Sequence, residues 1–258
     1  HHPYVPPEAH QRRFRDEPVN DRDAIQLRRK MLESPGQITD LEFNTLIDLY
    51  DAEISYVDAQ VERLVETLQS KWGNELVIAF TADHGEEFLD HGGFSHSATF
   101  HDEVLHVPLF IETGNDETGE NDNLVGLIDL APTLAEKAGV ERPETYRGQP
   151  LKKGENQWVR SEVIAEWADT DTDDRRFAVR TKDWKYIHME NGDEKLYDLS
   201  ADLDEKTDLT AENPSILSDL RETLEDHLAM LEESREDLGE VEMEEEVRQR
   251  LRDLGYRE

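Results

Sequence analysis

Cysteine is absent from the 258 residues. That excludes disulfides, thiolate metal sites and a cysteine nucleophile within this sequence. Long hydrophobic runs are absent too: none approaches the roughly 20 apolar residues that span a bilayer as a helix. No signal-peptide pattern opens the sequence. Positive charge is scarce, with 28 Lys and Arg against 62 Asp and Glu and a formal net charge of −34. Lysine is the scarcer cation, nine against nineteen arginines. A surface this acidic repels nucleic acid and anionic membranes. It repels a sulfate or phosphate ester as well, unless the site itself is locally positive. Hydrophobic residues make up 36%, below the usual globular share, yet apolar periodicity in several stretches argues against disorder.

Residues 1–37 are polar and rich in Pro and Arg, and they read as a surface loop with a short helix around Asp21–Leu32. Thr39 followed by Glu42 is a capping-box pattern. Leu46, Tyr50, Ile54, Val57, Val61, Leu64, Val65 and Leu68 then recur at helical spacing, and Gly73 follows. This predicts one long helix over 40–71 with a single buried stripe. Leu76–Phe80 is a continuous apolar run, the pattern of a strand buried on both faces. Val104–Ile111 and Leu124–Ile128 read as further strands, with Asp129 capping a helix through Ala138. Helix and buried strand in alternation indicate a doubly wound α/β sheet over 1–150. Beyond 150, Trp158–Trp167, Arg176–Thr181, Trp184–Met189 and Lys195–Leu199 are short and partly alternating, and Asn191-Gly192 is a hairpin turn. This predicts a small antiparallel subdomain over 151–212. Asn213-Pro214 starts a helix in an acidic C-terminal segment over 213–258.

Asp83-His84-Gly85 directly follows the run at 76–80. Ligands of open α/β sheets bind beyond the carboxyl ends of the strands. Neighbouring strand residues point to opposite faces. Asp83 and His84 can therefore meet one ion only where the strand has ended, and Gly85 allows the sharp turn this needs. A carboxylate with an imidazole suits Mn or Zn, and Ca or Mg less well. The same triplet also fits a helix cap beside an ordinary loop histidine. The neighbourhood weighs against that: His84, His91, His96, His101 and His106 are half of the ten histidines, with Gly85, Gly92 and Gly93 among them. Imidazoles ligate metal, donate to anionic oxygens or protonate a leaving group. His101 and His106 fit equally as packing beside the next strand.

The run Thr81–Phe88, then His91-Gly92-Gly93-Phe94, Ser95-His96 and Val107–Ile111, resembles the second metal-binding segment of the sulfatases, in the alkaline-phosphatase superfamily. Four further stretches resemble that family in order and spacing: His1–Tyr4, Tyr50–Asp58, Ile128–Leu134, and Arg180–Ile187 with Leu196–Leu199. The acid-rich, Lys-poor balance is similar to that of halophilic archaeal proteins, in which concentrated ions screen self-repulsion.

The resemblance implies the C-terminal part of an alkaline-phosphatase-like doubly wound sheet, a small antiparallel sheet and a C-terminal helix. It implies a hydrolase of sulfate esters that uses one divalent ion (Ca, Mn or Mg), with Asp83 and His84 as metal ligands. His1, with His2 as alternative, and His96 would face the anionic ester, and His1 or His96 would protonate the leaving oxygen. His91 would support the ligands from behind. The family's formylglycine nucleophile arises in a Cys/Ser-x-Pro-x-Arg segment, which this sequence lacks. The expected partner is therefore the N-terminal half of the catalytic domain, and the chain alone is expected to be inactive. His84 and His96 keep a single-metal phosphonate or phosphodiester hydrolase open as an alternative, and a non-catalytic module is a further one. The compartment is left open, with a cytoplasmic location expected over a secreted one, in a high-salt organism.

Overall fold

Residues 3–37 pack onto a long helix instead of running free over the surface. The computed structural model describes residues 3–96, 99–113, 119–120, 123–143, 145–151, 163–169, 174–189 and 191–238. Helix α1 (Glu8–Gln11) is a single turn, and α2 (Asp21–Glu33) starts where the Asn20 side chain accepts the Asp23 amide. Helix α3 (Asp40–Trp72) opens on the expected capping box between Thr39 and Glu42. Tyr4, Ala24, Met31, Leu46 and Leu49 form one buried cluster. The loop expectation fails because Gln11, itself buried, ties the segment together. Its amide donates to the Pro6 and Val19 carbonyls and its oxygen accepts the Val19 N–H. Those bonds satisfy backbone groups that would otherwise need water.

Burial on α3 covers its first half only. Leu46, Leu49 and Ala52 are buried, whereas Ile54 and Val57 are exposed and Leu64 is 57% exposed. The single buried stripe is thus half realised in this chain. Strands β1 (Ile78–Thr81), β2 (Glu87–Phe88) and β3 (Phe94–Ser95), helix α4 (Asp102–Leu105) and strand β4 (Leu109–Glu112) follow. β1 pairs antiparallel with β4, and β2 with β3. Phe80 and Phe110 face each other across the first pair, and Phe110 is 67% exposed. Burial of β1 on both faces is therefore not met here. The expected strand over Val104–Ile111 is helical at its start and extended only after Pro108, which has no N–H to give a ladder.

The chain divides into two compact units, the first comprising 1–97, 103–119 and 137–139. The second comprises 98–102, 120–136 and 140–258, and contains a 3-10 turn, Leu127–Asp129, and all but the last residue of α5 (Leu130–Lys137). The expected strand over Leu124–Ile128 does not form. Asp129, buried, instead accepts the Gly126 and Gln149 amides and curls the segment. Close approach does the rest: a Cβ on Gly148 would lie 1.9 Å from the Ile128 carbonyl oxygen.

The antiparallel sheet has the order β5 (Val163–Asp169), β6 (Asp174–Arg180), β7 (Trp184–Met189), β8 (Glu194–Asp198). The Asn191-Gly192 turn forms as expected, with Gly192 at φ 87°. Helix α6 (Pro214–Leu238) lays Leu217, Leu220 and Leu224 on Phe177, Val179, Tyr186 and Leu196. Each such fully buried side chain is worth about 1.5–3 kcal/mol. Residues 158–162 of the expected first strand and 239–258 of the acidic tail lie outside the described residues.

Candidate metal and anion site at Asp83-His84

Asp83 and His84 leave the end of β1 and are pinned from behind by backbone. Gly85 N–H donates to the Val104 carbonyl at 2.8 Å and Glu86 N–H to the Glu103 carbonyl at 3.0 Å. A Cβ on Gly85 would lie 2.0 Å from the Glu103 carbonyl oxygen. Gly85 is therefore required for close approach where the backbone turns away from β1.

The Asp83 side chain is 79% exposed. His84 Nδ1 lies 2.9 Å from the Gly85 carbonyl oxygen. A carbonyl only accepts, so that bond places the ring proton on Nδ1 and the lone pair on Nε2. Nε2 is 3.8 Å from the Asp83 carboxylate. This is the tautomer a metal ligand needs, with the other nitrogen hydrogen-bonded to backbone. Among the described residues no group of three or more His, Asp or Glu is placed to hold a metal ion. The pair offers one carboxylate and one imidazole nitrogen, which fit as two donors to a metal ion.

His96 joins this pair. Its ring stacks on His84 with centroids 4.0 Å apart and planes 24° apart. Its Nδ1 lies 3.3 Å from Ser95 Oγ and 3.5 Å from Glu86 Oε1. His91 instead turns Nδ1 toward Glu103, at 3.5 Å. The His91–Gly93 loop is shaped by buried Glu87, whose carboxylate accepts the His91 and Gly93 amides at 2.8 Å each. His101, in the second unit, is buried with Nε2 3.3 Å from the Tyr197 hydroxyl, so it packs against β8. His1 and His2 lie outside the described residues.

Glu86 and Glu87 were not legible as site residues, since two glutamates carry no signal in a chain with 62 acids. Glu86 is nonetheless buried beside the Tyr4 hydroxyl, whose pKa is pushed up by burial and then by the Glu86 charge. Tyr50 is raised for the same two reasons, in the same order.

The second unit holds another charged cluster. Lys185, wholly buried, donates to Asp102 and forms an ion pair with Glu205 at 2.8 Å. Arg180 reaches the other Asp102 oxygen at 3.2 Å. The Asp102 amide donates to Glu205 at 2.6 Å.

An acidic and imidazole pair at a strand end, followed along the chain by an antiparallel sheet with a terminal helix, matches the alkaline-phosphatase-like fold. The family model Sulfatase matches residues 1–140, and N-sulphoglucosamine sulphohydrolase, C-terminal, matches residues 90–234. The chain belongs to the sulfatase family. It is 26% identical to arylsulfatase K of Bos taurus over 204 residues, 73% of this chain and 38% of that protein. It is 34% identical to choline-sulfatase of Rhizobium meliloti over 171 residues, 64% of this chain and 33% of that protein. The chain thus spans less than half the length of these curated relatives. Among solved structures, a 2-O GAG sulfatase aligns with TM-score 0.71 at 24% identity, covering 81% of this chain and 48% of that one. The phosphonate monoester hydrolase of Agrobacterium radiobacter aligns with TM-score 0.64 at 22% identity, covering 76% and 44%. Those two likenesses show the fold.

Proposed function

We propose that the chain is the part of a sulfate-ester hydrolase that carries half of its metal site and one wall of its anion site. The observation that carries this is the convergence of Asp83, His84 and stacked His96 at one strand end. In a chain of net charge −34, an anionic ester needs a local exception to the surrounding field. Imidazoles supply one, and so would a divalent ion (Ca, Mn or Mg) held in part by Asp83 and His84, which when bound neutralises ester charge. His96 would donate to an ester oxygen, and His1 or His96 would protonate the leaving oxygen. The formylglycine nucleophile is assigned to a segment outside these residues. The rest of the catalytic domain is the proposed partner, and exposed Ile54, Leu64, Phe80 and Phe110 are the apolar surface offered to it.

The test assays the chain together with the polypeptide encoded upstream, on aryl sulfate and aryl phosphonate in parallel. Turnover of aryl sulfate that Asp83→Ala abolishes supports the proposal. A strong preference for the phosphonate would transfer the site to the second reading, which the His84 imidazole favours. The chain alone is expected to turn over neither, and activity of the pure chain that depends on Asp83 would refute the split site. A high-salt setting is part of the same proposal, and the melting temperature is expected to rise with molar KCl as acidic self-repulsion is screened.

A further inference from the structure

We propose that Asn191 is a latent site of self-modification, able to close a cyclic imide with Gly192 and held back in the folded chain by the Asp193 side chain. The chemistry needs only water. Asn191 and Gly192 lie exposed at the turn between β7 and β8. The Gly192 amide, unshielded by any Cβ, gives up its proton to water, and its nitrogen forms a bond to Asn191 Cγ. The bond from Cγ to Nδ2 breaks, and that nitrogen leaves with a proton as ammonia. Water then opens the imide at either carbonyl and leaves an aspartyl or an iso-aspartyl link. One water enters and one ammonia departs, with no oxidation.

Three contacts oppose the attack. The Gly192 N–H donates to the Met189 carbonyl at 2.9 Å, so the nucleophilic nitrogen is engaged in the turn. Asn191 Oδ1 accepts the Asp193 N–H at 2.9 Å. Asn191 Nδ2 donates to Asp193 Oδ2, also at 2.9 Å. The side-chain amide is gripped at both ends, and turning its face to the Gly192 nitrogen breaks at least one of these bonds. Its leaving nitrogen rests on a carboxylate, which only accepts and has no proton to send off with ammonia. Gly192 holds the left-handed φ of 87° that the turn requires, and the Met189 N–H closes the hairpin on the Asp193 carbonyl at 2.9 Å. The imide therefore forms where this end of the hairpin opens, and an exposed turn opens more readily than the sheet beneath it. An iso-aspartyl link would run the main chain through Cβ and lengthen the turn by one carbon. The two bonds to Met189 could not then both re-form, and β8 would lose its anchor just before Glu194.

Incubating the chain at mildly alkaline pH and mapping aspartyl and iso-aspartyl products by peptide mass spectrometry tests this without any turnover of ester. The native wild type is expected to convert at Asn191 about tenfold or more slowly than the same chain in urea, as a step that waits on local opening does. Asp193→Ala is expected to move the native rate most of the way to the urea rate. Asp193→Asn, which keeps an acceptor for Nδ2, is expected to stay near wild type. Equal native and urea rates in the wild type overturn the proposal whether or not a variant folds, and so does an absence of conversion in urea. An unchanged native rate in folded Asp193→Ala overturns it too, as does an Asp193→Asn as fast as Asp193→Ala.

Discussion

Lys185 and Asp83 both belong to clusters of charged side chains, yet Lys185 is wholly buried and Asp83 is 79% exposed. Around Lys185 each charge meets its opposite: two carboxylates, one ammonium and one guanidinium in direct contact. Burial pushes the Asp102 carboxyl up, but Arg180 and Lys185 outweigh it and hold the group below the usual carboxylate range. Burial dominates at Glu205 and raises it. Around Asp83 the side chains are imidazoles and carboxylates, and the backbone is strained at Ser95. A cluster complete in itself has nothing left to bind, and that is the mark of scaffolding. One whose donors face outward, on backbone held in an unfavourable conformation, has the features of a ligand site.

The sharpest way to break this contrast is Lys185→Met. It strands Asp102 and Glu205 without their shared cation, and removing one partner of a buried network costs about 3–5 kcal/mol. Denaturant unfolding measures it. A loss below about 1 kcal/mol would mean that the cluster is wetter and looser than its contacts imply.

Gly85→Ala comes next. Its Cβ would collide with backbone at Glu103, so α4 or the site loop must move, at a cost of about 1–3 kcal/mol. The same shift displaces Asp83 and His84 from the strand end. This variant is therefore expected to lower both stability and divalent-ion binding, whereas Lys185→Met acts on stability.

Gly85 also shows what the sequence could convey. Its importance was legible; its reason was not, because the Glu103 carbonyl that excludes a Cβ lies eighteen positions along the chain. Local signals were read well: the Thr39–Glu42 box, the Asn191-Gly192 turn, the Asn213-Pro214 helix start and the strand running into Asp83-His84 each depend on a few adjacent residues. What depended on distant partners was missed. Tyr4 looked like loop until the helices closed over it. Leu124–Ile128 had a strand's composition, but Asp129 reaches Gln149 and curls the segment instead. The α3 stripe had the right period, but burial needs a neighbour for its second half as well. Glu86 was one acid among many until its carboxylate proved to be buried against His96.

Intermediate in exposure is Glu194, which accepts from Arg221 and from the Tyr186 hydroxyl at 2.5 Å. The Arg221 guanidinium holds its pKa down, at about 2, against the opposing effect of burial. A depressed folded pKa contributes stability that is present above the unfolded value of roughly 4.3 and lost as pH falls through the folded one. Arg221→Leu is expected to lower the unfolding midpoint at pH 6 by less than Gly85→Ala does, with the difference from wild type shrinking between about pH 4 and pH 2. A difference that persists unchanged at pH 2 would assign the loss to packing of the arginine stem instead of to the ion pair.

The smallest effect on stability is expected at the residue with the largest proposed role. Asp83→Ala removes an exposed carboxylate whose oxygen accepts only its neighbour's N–H among the bonds described, so the folded state should change by no more than about 0.5 kcal/mol. Divalent-ion binding should change instead. Two donors are too few for a tight site, since affinity grows with ligands already in place. Calorimetry on the chain is therefore expected to show weak binding that Asp83→Ala abolishes. A tight stoichiometric complex in the wild type would require further ligands from within these residues, and Asp83 would then belong to a complete site of its own.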